Sequence, residues 1–244
     1  MQNWNESFVG SLRASLGGSS AVSQGIFTGD ALLPAAAPTD SWRYRYIKRA
    51  IDVIVSLVTI PALALPGLMI AAAIVLTSGG PVFYREERIG RSGRVFRIWK
   101  FRSMRRDVDR RIPVVDLELG EAGADLRMRK HLPNPRVTPV GAFLRTWSLD
   151  EFPQFLNILR GDMSLIGPRP VVEGELHLYG NLRHCYLSAT PGLSGLWQVS
   201  GRSLVNYEKR VQLDAAYVNT WSLRADLDIL LRTIPAVLQR LGAC

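Results

Sequence analysis

The 244-residue sequence predicts an α+β protein, in which a re-entrant membrane helix-break-helix precedes a compact, mostly helical domain with one β-hairpin. Three observations predict it. Residues 53–84 contain no charged side chain, two alternating strands flank the turn-forming Arg91-Ser92-Gly93, and apolar residues recur at helical spacing in segments 152–159 and 227–238. The order reads as a disordered N-terminal tail over residues 1–40, a basic-flanked re-entrant segment over 41–78 and a cytosolic domain over 79–244. The tail is rich in Ser, Gly and Ala, with few charges and weak periodicity.

The apolar core of the uncharged run, residues 57–76, is long enough to meet a bilayer and lies too far from the N-terminus for a secretory signal. Pro61 and Pro66 each remove a helix hydrogen bond, and Pro66 lies near the middle. Both flanks are basic: Arg43, Arg45, Lys48 and Arg49 precede the run, and Arg85, Arg88, Arg91, Arg94 and Arg97 follow it. A simple span collects its cations on one side, so symmetric flanks favour a segment that enters and leaves on one face, kinked at Pro66. Each arm then measures roughly 15–20 Å, short of the hydrocarbon core of about 30 Å. Trp42, Tyr44 and Tyr46 suit the interface on the entering side. The alternative is a bitopic helix with a tolerated proline kink.

Gly79-Gly80-Pro81 breaks the chain, and the hairpin follows. A period of two puts Phe96, Ile98, Lys100 and Arg102 on one strand face, an apolar pair to anchor it and two cations that reach toward a phosphate, or a solvated strand end. Residues 105–130 mix charges of both signs with few large apolar residues, which predicts an exposed helix or loop ended by Pro133-Asn134-Pro135.

The most informative stretch is residues 148–170, SLDEFPQFLNILRGDMSLIGPRP. Phe152, Phe155, Leu156 and Leu159 fall at i, i+3, i+4 and i+7, a buried helical face with Asp150 and Glu151 at its start. Pro153 fits only the first turn, where the helix dipole favours an ionised side chain. Adjacent carboxylates repel unless a cation neutralises them, and magnesium bridged to substrate phosphates is the usual solution; an ionised Asp can also attack phosphorus itself. The competing reading is a capping box, which S-x-x-E also matches. Downstream, Gly167-Pro168-Arg169-Pro170 clamps an arginine between two prolines, suited to bidentate phosphate binding or to a rigid surface loop. The glycine-rich segment 191–202 offers backbone amides to an anion with Arg202 beside it, although it fits no Walker or dinucleotide pattern. Two helices, about residues 206–217 and 224–241, close the chain, the second with Leu227, Leu230, Leu231, Ile234 and Leu238 as either a core or an interfacial face.

A net charge of +9 suits anionic lipid, phosphorylated substrates or nucleic acid; no zinc-finger or aromatic-basic RNA motif appears, which leaves nucleic acid the weaker explanation. Cys185 and Cys244 define no disulfide framework, and His131, His177 and His184 lack metal-ligand spacing, so catalysis falls to carboxylates.

From Lys48 onward the chain resembles the bacterial sugar transferases, the monotopic phosphoglycosyl transferases, and most closely the exopolysaccharide-initiating galactose phosphotransferases. The resemblance rests on KRAID, GPVFYREERIG, IWKFRSM, the long block through SLDEFPQ and GPRPVVEGEL, PGLSGLWQVSGR, LDAAYV and WSLRADLDILLRTIPAV, in order. It implies a re-entrant helix broken at Pro66, at the cytoplasmic face of a bacterial inner membrane among its phospholipids. It implies transfer of sugar 1-phosphate from a UDP-sugar to undecaprenyl phosphate, with release of UMP. It assigns Asp150 as nucleophile and Glu151 as magnesium ligand beside it, with Lys100, Arg102, Arg169 and Arg202 on the diphosphate and Asp214 as a further acidic position. It leaves room for a homodimer. Two departures stand out: Leu65 precedes Pro66 where many members have serine, and Thr190 precedes Pro191 where arginine is common. A non-catalytic membrane scaffold for polysaccharide assembly is the alternative function.

Overall fold

The computed structural model describes residues 38–105, 136–201 and 205–239. The expectations for the tail before residue 38, for residues 106–135 and for Arg202 lie outside the described residues. Within them the chain is mostly helical, with two small two-stranded sheets, as the α+β reading requires.

A π-helical turn, Arg43–Lys48, leads into α1 (Arg49–Ala62), and α2 (Ala64–Ser78) follows after Leu63 alone. No single helix is long and apolar enough to cross a membrane, but Arg43–Ala62 and Ala64–Ser78 qualify together and are bent by 59°. The break falls at Leu63, one turn before Pro66. Its cause is still that proline: Pro66 has no N–H for the carbonyl of Ala62, the residue four before it and the last of α1, and its ring crowds that carbonyl. At 14 and 15 residues the arms are about 21 and 22 Å long, a little above expectation and still short of a hydrocarbon core.

The basic flanks divide into two kinds. Arg43, Arg45, Arg85, Arg94 and Arg97 are exposed, whereas Lys48 is buried and pairs with Asp226 at 2.6 Å. Arg49 donates to the carbonyls of Ile158 and Leu159, the latter at 2.6 Å, at the end of α4 (Phe155–Arg160), where a helix presents unsatisfied acceptors. Of the three aromatics, Trp42 and Tyr46 are exposed, but Tyr44 is buried edge-on against Trp221 and accepts from the Thr190 amide at 2.8 Å. Cations and an aromatic expected at the lipid are therefore partly structural ties.

The hairpin forms as read. Strands β1 (Phe83–Ile89) and β2 (Val95–Phe101) pair antiparallel, with Phe83 opposite Phe101 and Ile89 opposite Val95. Ser92 and Gly93 turn at positive φ between them. Phe96 and Ile98 enter the main core with Ile158, Met163 and Trp221. Helix α3 (Pro139–Thr146) is N-capped by Thr138, and a 3-10 turn, Leu149–Gln154, leads into α4. Strands β3 (Ser164–Ile166) and β4 (Gly192–Ser194) pair in parallel. Helices α1 and α4 pack on β3; the short helices α5 (Glu173–Leu176), α6 (Arg183–Ser188) and α7 (Leu196–Val199) come next in element order, and α8 (Tyr207–Asn219) and α9 (Leu223–Leu238), the latter packed on both strands, close the described chain. On α9 only Ile229 is buried; Leu227, Leu230, Leu231, Ile234 and Leu238 all face outward, so the core reading of that face is set aside.

Candidate active site

The dyad does not sit at the start of a regular α-helix. Ser148 adopts a left-handed conformation (φ 56°), its side chain caps nothing, and Leu149–Gln154 forms a 3-10 turn before α4 begins at Phe155. The capping-box reading of S-x-x-E is therefore excluded, and both carboxylates are left for other work. The buried side of the segment also differs from the spacing: Pro153, Gln154, Asn157 and Ile158 face inward, whereas Leu156 is exposed. The 3-10 turn advances at three residues per turn, which rotates the face predicted from 3.6.

Asn157 explains why this turn lies against β2. Its side chain is fully buried and donates to the Arg97 carbonyl (2.8 Å) while accepting from the Trp99 amide (3.0 Å). One side-chain amide thus serves as a surrogate strand along the free edge of β2. With α4 locked there, Lys100 on the core-side strand face reaches Glu151, Nζ to Oε1 3.5 Å. Asp150 is buried beside them. Its carboxyl is pushed above the usual carboxylate range by burial and then by the charge of Glu151, and drawn back by Lys100 and Arg145.

Arg145 was not read from the sequence as a site residue. It lies on α3, whose Gly141 stands where a Cβ would come within 2.0 Å of the Ser103 carbonyl oxygen. The close approach lets Arg145 Nε donate to Ser103 Oγ at 3.0 Å. The signal that points to it is the glycine in VGAFLRT, four residues before the arginine on the same helix face.

Lys100, Asp150 and Glu151 are thus brought together; the other candidates lie elsewhere. Arg102 is buried, and its Nη2 donates to Ser78 Oγ (2.6 Å) and to the Gly79 carbonyl, closing the end of α2. These bonds fasten α2 to the hairpin. Arg169 lies with Asp214: its guanidinium stands 5.5 Å over the Trp197 ring, and its backbone amide faces the Asp214 carboxyl. Asp214 is fully buried, accepts from Tyr179 Oη at 2.8 Å, and is pushed by burial up to about 7. Arg210 stacks on Trp197 as well, at 5.2 Å, and pairs with Glu175 at 3.6 Å. The GPRP loop is steered by Arg88, which donates to the Pro170 carbonyl (3.1 Å), and by an Ile89–Val171 bridge.

Gly192 and Gly195 serve packing. A Cβ on Gly192 would meet the Gly167 nitrogen at 2.1 Å, and the Gly192 amide already donates to the Pro168 carbonyl at 2.8 Å. That amide is committed to the carbonyl two residues past β3, which removes it from the anion cradle expected there.

The family model described as Bacterial sugar transferase matches residues 43–240, which takes in the bent helix pair, the hairpin and the dyad together. The chain belongs to that family. It is accordingly a phosphoglycosyl transferase, as the motifs implied. It is 47% identical over 191 residues to the exopolysaccharide production protein ExoY of Sinorhizobium fredii, covering 78% of this chain and 84% of the relative. It is 42% identical over 203 residues to the undecaprenyl-phosphate galactose phosphotransferase of Salmonella typhimurium, covering 82% of this chain and 42% of that longer protein. A UDP-glucose:undecaprenyl-phosphate glucose-1-phosphate transferase of Escherichia coli is 35% identical over 198 residues, with 78% and 40% covered. The transferase therefore shares its matched region with relatives named for both galactose and glucose.

Proposed function

We propose that this transferase moves a sugar 1-phosphate, galactose 1-phosphate first among the candidates, from a UDP-sugar to undecaprenyl phosphate, and so initiates an exopolysaccharide. One observation carries the reading: Asp150 and Glu151, free of any capping role, stand in a turn flanked by Lys100 and Arg145. The relatives named for galactose support that sugar ahead of glucose.

In this scheme the Asp150 carboxylate attacks the β-phosphorus. The bond from that phosphorus to the bridging oxygen breaks, UMP leaves with the electron pair, and a phosphosugar stays on the carboxylate. An oxygen of undecaprenyl phosphate then attacks the same phosphorus, the aspartyl bond breaks, and Asp150 is regenerated. Lys100 and Arg145 favour the ionised form of Asp150 against burial and Glu151, and face the charge that develops on the diphosphate. Arg169, held over Trp197, is the candidate for the nucleotide end, and Arg202 keeps that expectation on the motif alone.

Magnesium fits the donor set. Two adjacent hard oxygen donors with one partly exposed member suit an ion that takes few protein ligands and completes its shell with water and phosphate. Among the described residues no cluster of three or more His, Cys, Asp or Glu forms a closed cage. Glu151 and Asp150 would hold the ion, which when bound offsets charge on the transferring phosphate.

The seat proposed for this chemistry is the cytoplasmic face of the bacterial inner membrane, with α1 and α2 re-entrant. The 59° break, the exposed apolar residues Leu57, Val58, Leu65, Leu68 and Met69, and exposed cations at both ends support it. UMP release by detergent-solubilised protein with magnesium, undecaprenyl phosphate and either UDP-galactose or UDP-glucose tests the function. Lipid-dependent release with one sugar, absent in Asp150→Asn, is expected; silence across a full nucleotide-sugar panel from folded protein favours the scaffold.

A further inference from the structure

The outward face of the hairpin carries a groove that the transfer chemistry does not use. Trp99 and Lys100 are neighbours on β2 and therefore point to opposite faces, Lys100 to the dyad and Trp99 away from it. Two guanidiniums flank the Trp99 indole: Arg85 stacks at 3.6 Å from the ring centroid, and Arg160, from the last turn of α4, stands at 5.7 Å. Arg94 and Arg97 line the same groove. These last two face carboxylates, Arg97 with Glu87 at 3.1 Å and Arg94 with Asp162 at 4.0 Å. Arg85 and Arg160 have no ion pair among the described residues, and the indole is their shared platform.

Two arginines held at one aromatic ring, neither of them ion-paired among the described residues while Glu87 and Asp162 of the same groove face Arg97 and Arg94, make a fork for a phosphate group: the ring restrains both guanidiniums and leaves N–H edges to a ligand. The location indicates whose phosphate. Phe83 packs edge-on against Trp99 (5.6 Å) and stacks on Phe101 (5.5 Å), and Phe101 joins Ile74 of α2 in one apolar cluster. The strand face thus runs from the apolar helix to the arginine pair. At about 3.3 Å per residue, the Arg85–Trp99 pair lies about 7 Å along the strands from Phe83–Phe101, near the depth of one headgroup layer.

We propose that Arg85 and Arg160, carried on Trp99, form a binding site for the phosphate of an anionic lipid headgroup, which holds the hairpin to the bilayer. The inference rests on the membrane seat proposed above and is independent of the transfer chemistry. A soluble phosphate would offer the same oxygens, so the test separates the two sources.

The experiment measures partition of the full-length protein onto phosphatidylcholine vesicles with and without phosphatidylglycerol, and binding of inorganic pyrophosphate to the protein in neutral detergent. Wild type is expected to favour the anionic vesicles, and R85Q/R160Q to lose roughly thirty-fold of that preference, since each cation near an anionic surface contributes about a factor of five. Trp99→Leu removes no charge and should lose a comparable share, whereas Trp99→Phe, which keeps an aromatic platform, should retain it. UMP release in detergent should be unchanged in R85Q/R160Q. Equal losses in R85Q/R160Q and R94Q/R97Q, with Trp99→Leu silent, would mean diffuse charge and overturn the site. Pyrophosphate binding that R85Q/R160Q abolishes would assign the groove to a soluble ligand instead. Wild type indifferent to phosphatidylglycerol overturns the inference while leaving the seat intact, and wild type that binds neither vesicle removes the seat itself.

Discussion

In the proposed mechanism Asp150 must be ionised to attack phosphorus, yet burial and the neighbouring Glu151 keep its proton on to higher pH than an ordinary carboxylate. The turnover rate should therefore fall on the acid side, and the cations set where. Lys100 and Arg145 both favour the ionised form, so removing either raises that pKa. Lys100→Met and Arg145→Gln are each expected to move the acid limb of the pH–rate profile to higher pH; a limb that stays in place would remove these cations from the account. Asp214 gives a stability prediction. Its folded pKa of about 7 exceeds the ordinary carboxylate value, so between about pH 4 and 7 the folded state holds a proton that the unfolded state has lost. Its contribution is present at low pH and lost as pH rises through that window. Denaturant unfolding across pH 4–7 should show this decline in wild type and a flatter curve in Asp214→Asn.

At the scale of elements, the site depends on backbones that approach closely. Gly141→Ala would place a Cβ against the Ser103 carbonyl, forcing α3 outward, with an expected cost of about 1–3 kcal/mol in denaturant unfolding and reduced turnover as Arg145 is drawn away. A variant with unchanged stability and rate would contradict that packing. The hairpin and the last two helices were legible in the sequence, because a glycine turn between alternating strands, and leucines at 3.6 spacing, are local signals. The capping state of Ser148 was not, since S-x-x-E looks alike whether or not the serine turns left-handed. Nor were the ties made by Arg49, Arg102 and Asn157, because each joins segments at least 23 residues apart and leaves no local pattern. The pair β3–β4 escaped for a similar reason: three-residue strands carry too little alternation to read.

The whole molecule is organised around one seam between apolar helices and a polar site. Asp52 of α1 accepts from the Leu165 amide (2.9 Å) and Ser164 Oγ (3.1 Å), Arg49 closes α4, and Arg102 closes α2. Lys48 adds α9, whose outward leucines begin at Leu227, the residue after its ion-pair partner Asp226. A re-entrant seat predicts that cysteines placed at Ser41 and Phe83 are both shielded from a membrane-impermeant maleimide added outside intact cells and both labelled after lysis. Labelling of one from outside would indicate a bitopic helix. Covalent catalysis at Asp150 is open to mass spectrometry of the purified enzyme mixed with magnesium and UDP-galactose, UDP-glucose or another accepted donor, without lipid acceptor. UMP release close to one equivalent is expected, with a hexose-phosphate adduct on the peptide that contains Asp150, discharged when undecaprenyl phosphate is added. UMP formed only when the lipid is present, with no adduct on the protein, would contradict covalent catalysis and indicate direct transfer between the two substrates.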